Sequence, residues 1–293
     1  MSDGQIPWGD AEWSRVRQIV HDEAMRVRVA ASFLPLYGPL QGGAETAPMN
    51  RLEVRAPERP GALGMLEVDD QTTKPFASVS VNVHLKNHML ADPELLAATA
   101  LFRRAAGIVA RVEDAVLFNG KKGDGDLLGT DGIEKVYHIG GSSEYEGLST
   151  KREHQVEVVG GSKDEHGPNV FRAVVKAVLD LETSGYHRPF AVVLAHDLFR
   201  DIHEPIPKSM VLPRDGIPPI IEGPLVRSSS LPEGTGLVIS LQGDPVEIVV
   251  PSDISVRYLQ ATLEGSHVFR VSQRFLLRVK DGRAIALLKR GKA

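Results

Sequence analysis

The alternation of apolar and polar residues is clearest near the end of the chain, between Val246 and Leu288. Breaks at Pro251, at Glu264-Gly265 and at Asp281-Gly282 divide this stretch into what we predict to be consecutive strands of one antiparallel sheet. Because side chains alternate across a strand, one face of the sheet would be almost wholly apolar. The residues of that predicted face are Phe269, Val271, Gln273, Phe275, Leu277 and Val279. Such a face needs a cover, either from this chain or from another copy.

Apolar residues at three- and four-residue intervals predict two amphipathic helices before the sheet. The first runs from about Asp10 to Ala31, and its apolar stripe consists of Trp13, Val16, Val20, Ala24, Val27, Ala31 and Leu34. The second begins at Asp92-Pro93 and continues to about Phe118, with a stripe of Leu95, Thr99, Phe102, Ala106, Val109, Glu113 and Val116. At 1.5 Å per residue this second helix, the spine helix, would be about 39 Å long and would cross a whole domain.

The segments around the spine helix have weaker patterns. Arg51 to Val68 predicts a hairpin, which is either an ordinary surface hairpin or an arm that becomes stable only against another subunit. Phe76 to Leu85 alternates as a strand.

After the spine helix, the pattern predicts a compact inserted subdomain followed by a loop. The subdomain has a helix starting at Pro168-Asn169, a buried strand at Phe190 to Ala195 and a short helical turn. Six prolines between Glu204 and Pro224 then predict a long, exposed loop without regular helix.

Composition places the chain among soluble globular proteins. It has 293 residues, of which 42% are hydrophobic and 25% charged, and it has no cysteine, which excludes disulfides, thiolate metal sites and cysteine nucleophiles. The net charge of -4 gives no electrostatic case for a nucleic-acid partner. Neither a secretory signal nor an apolar run of membrane-spanning length is visible, so we expect a cytoplasmic protein without a membrane partner.

The search for catalytic motifs identifies no specific site. There is no phosphate-binding loop, dinucleotide fingerprint or nucleophile elbow. Asp124, Asp126 and Asp131 faintly suggest a calcium loop, and His84 and His88 are spaced four apart, but an acidic turn and surface histidines explain them better. We therefore expect no catalytic residue, no metal and no cofactor, and we do not expect an enzyme.

Several segments, taken in order and spacing, carry a family resemblance. They are Trp13 with Tyr37-Gly38-Pro39, Val112–Gly120, Gly185-Tyr186 before Phe190–Leu194, Asp253-Ile254-Ser255, Phe269-Arg270-Val271 and Phe275–Arg278. In these segments the chain resembles the encapsulins, also called linocin- or bacteriocin-type proteins. The subunits of that family have the α+β capsid fold of tailed phages, the Hong-Kong-97 type.

The resemblance implies a domain organisation. It divides the chain into an N-terminal helix and arm (1–46), an E-loop (47–76), the spine helix of a P-domain (77–130), an inserted A-domain (131–224) and the closing sheet of the P-domain (225–293). It also implies an icosahedral shell of identical subunits. Such a shell would enclose cargo enzymes, for example dye-decolorising peroxidases or ferritin-like proteins, that carry a short targeting peptide.

The resemblance further implies two functional surfaces. Cargo would dock on the inner wall at Val16, Val20, Ala24, Val27, Asp253, Ile254 and Tyr258. A pore would be bordered by His203, Glu204, Pro205, Lys208, Arg214 and Asp215, and His203 with Glu204 would make it sensitive to pH. Family members commonly have Arg and Asp just after the first helix, where this chain has Ala31–Leu36, so either the docked peptide is more apolar or docking differs.

Two other functions remain open from the sequence. A phage or prophage major capsid protein would share the fold but enclose DNA. A hydrolase or peptidase belongs to a different class, and the absence of a nucleophile motif counts against it.

Overall fold

The computed structural model describes residues 6–40, 43–56, 63–123, 127–206 and 209–291. Its α-helices are α1 Asp10–Val27, α2 Asn87–Leu90, α3 Leu96–Asn119, α4 Leu148–Lys151, α5 Lys163–Thr183, α6 His196–Asp201 and α7 Pro218–Ile221. The strands up to the middle of the chain are β1 Leu36–Tyr37, β2 Thr46–Pro48, β3 Arg51–Arg55, β4 Met65–Asp69, β5 Thr73–Pro75, β6 Ala77–Lys86, β7 Lys121–Lys122, β8 Tyr137–Gly140 and β9 Glu144–Tyr145. The remaining strands are β10 His154–Val158, β11 Phe190–Ala195, β12 Leu225–Ser228, β13 Thr235–Ser240, β14 Val246–Ala261, β15 Ser266–Val279 and β16 Ile285–Arg290.

The first sheet has the strand order β1-β14-β15-β6-β8 and is antiparallel except for the pairing of β1 with β14. The predicted apolar face of β15 is confirmed, since all six of its residues are buried. The cover comes from the same chain, because α3 packs against β6 and β15, and α1 packs against β14. Pro251 does not end the strand as predicted. Strand β14 continues through it with a shift of register between Val249 and Ser252, where the proline's missing N–H is tolerated.

The second sheet has the order β10-β16-β13-β11-β12 and combines strands from two of the predicted domains. Its strands β12, β13 and β16 come from the segment 225–293, which the prediction assigns to the closing sheet of the P-domain. Conversely, β8 lies within 131–224 but belongs to the first sheet. The pattern of a single strand indicates how it is buried but not which strand it pairs with, so these pairings could not be predicted from the sequence.

Both faces of the second sheet are buried, which explains the continuous apolar runs of β11 and β16. One face, including Val193, Leu237 and Leu287, lies in the same core as α1, α3 and the first sheet. The other face, including Val192 and Leu194, lies in a second core with α5 and α6. The predicted inserted subdomain is therefore packed into the main core along one face of its sheet.

The spine helix is confirmed, and its predicted stripe is buried throughout, but it starts at Leu96, three residues after the predicted first helical residue, Pro93. Leu95, with φ of 51°, interrupts the helical backbone just before Leu96. Asp92 still acts as a cap, because its carboxylate accepts hydrogen bonds from the backbone N–H groups of Glu94 and Leu96 at 3.0 Å. Gly120, with φ of 73°, ends the helix as predicted.

Other helix boundaries also differ from the predictions. Helix α1 ends at Val27 rather than Ala31, and α5 starts at Lys163, five residues before Pro168. The early start follows from a capping box in which Ser162 and Glu165 bond reciprocally.

The proline-rich segment is only partly the exposed loop that was predicted. Pro213–Gly216 forms a 3₁₀ helix and Pro218–Ile221 forms α7, with prolines in the first turn of each, where the missing N–H has no partner to lose. Ile217 and Ile221 are buried in the second core and fix this part of the segment to it.

The predicted hairpin is confirmed as β3 and β4, which pair in the register Leu52↔Val68 and Val54↔Leu66. Because directly opposed residues share a face, these four side chains form one apolar face. All four are exposed, with Val54 at 66% and Leu66 at 85%. The hairpin thus carries a continuous apolar surface that the described part of its own chain does not cover.

The one amide on the covered face of β15 generates a prediction about stability. Gln273 is 2% exposed, and its Oε1 has no hydrogen-bond partner in the described residues. Because an unpaired buried acceptor costs free energy, Gln273→Met should raise the free energy of unfolding by roughly 1 kcal/mol. Urea unfolding measures the change. The matched control is Gln260→Met on the exposed side of β14, which should be nearly neutral, and a destabilised Gln273→Met would contradict the assignment.

Candidate functional site

A buried polar junction joins the end of α1 to the middle of the spine helix. The Arg28 Nε donates to the Glu113 carboxylate at 2.9 Å, and both side chains are almost fully buried. The neighbouring Asp114 accepts hydrogen bonds from the backbone N–H groups of Val29 at 2.8 Å and Ala30 at 2.9 Å. The chain therefore leaves α1 in a direction fixed by α3.

Burial dominates the electrostatics of this junction. It raises the pKa of the Asp114 carboxyl to about 7, although the two backbone N–H donors act in the opposite direction. Burial also raises the pKa of the Glu113 carboxyl, against the influence of Arg28. One nitrogen of Arg28, Nη2, is buried without a hydrogen-bond partner in the described residues.

A cavity of about 280 Å³ lies directly over the junction. Its walls come from α1, from the segment that follows it and from β14, and it is lined by His21, Met25, Arg28, Ala31, Leu36, Gly38, Pro39, Glu113, Val250 and Asp253. Met25 and Leu36 are about half exposed, which makes the cavity apolar at one end. At the other end the carboxylate of Asp253 lies 2.8 Å from His21 Nδ1 and 3.6 Å from Arg28 Nη1.

Gly38 shapes the outer wall of this cavity. Its φ is +142°, and a Cβ at this position would lie 2.0 Å from the carbonyl oxygen of Val250. Only glycine allows the segment after α1 to approach β14 this closely.

A second cavity of about 390 Å³ continues along the same boundary between α1 and β14. It is lined by Ser14, Arg17, Gln18, His21, Ile254, Ser255 and Val256. His21 borders both cavities, so the two form one elongated surface, here called the α1–β14 groove. A groove of this kind can accept an extended peptide segment, with an apolar side chain in the first cavity and polar contacts at Asp253 and His21.

The structure corrects the helix half of the predicted docking surface. Val16, Val20 and Ala24 are at most 1% exposed and lie in the first core, so they present no surface to a docked segment. Val27 is partly buried and lines a different cleft, on the opposite side of α1. The apolar stripe of the helix faces its own core, which is the usual role of such a stripe.

The sheet half of the predicted surface is only partly assembled at the groove. Asp253 lines the first cavity and Ile254 the second. Tyr258 instead joins an aromatic cluster, with its ring 5.5 Å from that of Phe269.

Sequence reasoning missed Met25, Leu36 and Pro39 as groove residues. The sequence did contain one indication of this surface: Met25 is an apolar residue that lies outside the predicted apolar stripe of the first helix.

The residues predicted at the pore lie at the end of α6 and in the segment that follows it. His203 Nδ1 is 2.7 Å from the Phe199 carbonyl oxygen, and its Nε2 is 2.8 Å from Arg214 Nη1. Because a guanidinium only donates, Nε2 is the acceptor and Nδ1 carries the proton.

The remaining predicted pore residues are close to this pair. Arg214 Nε also lies 3.6 Å from the Oδ1 atom of Asp215. Glu204 and Pro205 follow His203 directly, and Lys208 lies outside the described residues.

The described residues contain no group of three or more His, Asp or Glu side chains placed to hold a metal ion. Asp124 and Asp126 of the faint calcium-loop pattern are outside the described residues. His84 lies on β6 and His88 on α2. Within the described ranges, no helix is both long and apolar enough to cross a membrane.

Solved structures that resemble this chain identify its class. A virus-like particle from Pyrococcus furiosus superposes with a TM-score of 0.67 at 15% identity, covering 95% of this chain and 99% of that one. The capsid of Myoviridae phage XM1 superposes with a TM-score of 0.59 at 12% identity, covering 89% and 91%. The chain therefore has the α+β Hong-Kong-97-type capsid fold.

Sequence comparison then gives the family. Residues 2–276 match the family model described as "Encapsulating protein for peroxidase", and the chain belongs to this family, the encapsulins. The type 1 encapsulin shell protein EncA of Myxococcus xanthus is 27% identical over 97% of this chain and 94% of its own length. The diheme-cytochrome-encapsulin shell fusion protein of Kuenenia stuttgartiensis is 24% identical over 95% of this chain and 72% of its own length.

The raised pKa of Asp114 generates a prediction about pH. The unfolded carboxyl titrates near pH 4, whereas the folded one titrates at about 7. Folding therefore takes up a proton between these values, and the contribution of Asp114 to stability is greatest at low pH and is lost as pH rises towards 7. Relative to Asp114→Asn, the wild-type free energy of unfolding should fall by a few kcal/mol over this range.

Denaturant unfolding of both proteins in steps between pH 4 and 7.5 measures this difference. Asp70→Asn, at an exposed carboxylate, serves as the control and should follow the wild type. Parallel pH curves for the wild type and Asp114→Asn would contradict the assignment.

Proposed function

We propose that this chain is the subunit of a closed, icosahedral shell that encloses cargo proteins and has no catalytic activity of its own. The exposed apolar face of the β3–β4 hairpin is the observation that carries the proposal. A soluble protein rarely leaves such a face uncovered, and a second copy of the chain is the partner that a shell of identical subunits supplies. Membership of the encapsulin family and the capsid fold support the same conclusion.

The proposed cargo contact is the α1–β14 groove, facing the interior of the shell. Met25, Leu36 and Pro39 would receive an apolar side chain of a targeting peptide, and Asp253 with His21 would bond its polar groups. The apolar end agrees with the expectation, drawn from Ala31–Leu36, of a more apolar docked peptide. The proposed cargo is a peroxidase, which the family description names, or a ferritin-like protein.

The proposed route for small solutes is an opening bordered by His203, Glu204, Pro205, Arg214 and Asp215. We propose that this opening responds to pH through His203 and Glu204, and that the response includes a movement of the Arg214 side chain, whose Nη1 lies 2.8 Å from His203 Nε2. The proposed location is the cytoplasm.

A phage capsid protein is the second candidate, and the solved phage capsids support it through the fold. The match of the family model and the relation to curated encapsulin shell proteins favour the first proposal. Nothing in the described residues favours a hydrolase.

The hairpin generates a prediction about assembly. Leu66→Asp puts a charge on the apolar face that a neighbouring copy would cover, and it should prevent shell closure because an unpaired charge in an interface costs several kcal/mol. Size-exclusion chromatography and negative-stain microscopy report the particle, and circular dichroism reports the fold. Met65→Asp is the matched control, since Met65 opposes Arg55 on the other face of the same hairpin and is also exposed.

The expected result is folded small species from Leu66→Asp and closed particles from Met65→Asp. Closed particles from both variants would show that the apolar face is not an assembly surface.

The groove generates a prediction about cargo. Met25→Asp and Leu36→Asp place a carboxylate in the apolar cavity and should each lower the amount of co-purified cargo by about tenfold or more, since about 1.4 kcal/mol suffices for that change. Leu179→Asp, at an exposed leucine on α5, should leave loading unchanged. Each shell is co-expressed with a dye-decolorising peroxidase or a ferritin-like protein that carries its own targeting peptide.

Point variants are needed here because deletion of residues 1–31 is not a clean test. It would remove Val16, Val20 and Ala24 from the core and Arg28 from its pair with Glu113. Unchanged loading by Met25→Asp and Leu36→Asp shells of normal size would exclude the groove as the docking site.

A further inference from the structure

A second cleft, on the opposite side of α1 from the groove, contains four arginines in its lining. It has a volume of about 360 Å³ and lies between the end of α1, the spine helix and residues 132–134. Its guanidinium groups belong to Arg26, Arg103, Arg104 and Arg111, and its carboxylates to Glu23 and Glu134. The cleft therefore carries two more positive than negative charges, in a chain whose net charge is -4.

The two carboxylates are already neutralised by two of the arginines. Arg26 donates to Glu23, with its Nη2 2.5 Å from the carboxylate, and Arg104 donates two hydrogen bonds to Glu134. The side chains of Arg26, Arg104 and Glu134 are at least half exposed, whereas that of Glu23 is 16% exposed. The positive excess of the cleft is thus located on Arg103 and Arg111.

These two arginines have donors to spare. Arg111 makes only long hydrogen bonds, to the carbonyl oxygens of Asp131 at 3.3 Å and Gly132 at 3.4 Å. Arg103 is exposed and has no hydrogen-bond or ion-pair partner among the described residues. Both guanidinium groups therefore have N–H donors available to a ligand in the cleft.

Gly107 lies on α3 between them, one turn from Arg103 and one turn from Arg111, and it also lines the cleft. Glycine inside a helix costs about 1 kcal/mol relative to alanine. Neither packing nor backbone conformation requires it here, because the only atom near an added Cβ is Glu23 Oε1, at an ordinary contact distance of 3.7 Å. What the glycine does provide is open space between the two arginines, which a longer side chain would occupy.

We propose that this arginine cleft binds a phosphate group, either of inorganic phosphate or of a small phosphate monoester. Guanidinium groups bind phosphate oxygens in pairs, through fixed and directional N–H donors. The twofold positive excess matches a phosphate dianion, and Gly107 leaves room for it beside α3. The site is separate from the cargo groove and does not depend on docking there.

Isothermal titration calorimetry of the purified full-length protein in its native assembly tests this proposal, in a low-salt buffer without other oxyanions. Inorganic phosphate is the first probe and glycerol 3-phosphate the second, and the relative affinities show which source of the group the cleft prefers. The wild type should bind with saturation. Arg103→Gln and Arg111→Gln should each weaken binding by about tenfold, as expected for the loss of charge-assisted hydrogen bonds.

Three further variants make the test specific. Arg257→Gln removes an exposed arginine on β14, away from the cleft, and should leave affinity unchanged. Gly107→Ala should retain binding, whereas Gly107→Glu, which introduces a carboxylate between the arginines, should abolish it in particles of unchanged size.

Two results would overturn the proposal. One is the absence of saturable binding of either probe to the wild type. The other is an equal loss of affinity in Arg257→Gln and Arg103→Gln, which would mean that only the overall charge matters.

Discussion

The buried pair of Arg28 and Glu113, with Asp114 beside it, is the interaction on which the position of α1 depends. It anchors the end of α1 to the spine helix through charged groups that have lost their water, so removing Arg28 would leave the Glu113 carboxyl buried without its partner, and removing Glu113 would leave Arg28 with only Asp253, at 3.6 Å. One side of α1 borders the α1–β14 groove, and the other borders the arginine cleft beside residues 132–134. Because the junction fixes the end of α1, it helps to position this helix beside both cavities.

The second constraint is that the C-terminal part of the chain supplies strands to both sheets. In sequence, β13 precedes the β14–β15 hairpin of the first sheet and β16 follows it. Both are nevertheless internal strands of the second sheet. One face of that second sheet contributes to the core built around the spine helix. The β3–β4 hairpin lies outside both cores and keeps one apolar face exposed, which suits contact with a neighbouring subunit.

The sequence predicted the secondary-structure elements better than it predicted which strands pair with one another. Periodicity identified the spine helix, the hairpin and the apolar face of β15, because each follows from burial on one side. It could not assign β16 to the second sheet, since the residues of a strand buried on both faces do not encode a neighbour. Of the residues transferred from the family's docking site, Asp253 and Ile254 line the α1–β14 groove, whereas Val16, Val20 and Ala24 are buried in the core. A helical stripe shows that a face is buried, and only the fold shows what buries it.

We propose that identical subunits close a shell with the α1–β14 groove inside, and a cryo-electron microscopy reconstruction of the purified particle can test this arrangement. We expect a closed icosahedral shell in which the hairpin apolar face lies against a neighbouring subunit and Asp253 faces the lumen. A monomer or open assembly, or a closed shell with Asp253 on the outer surface, would contradict it.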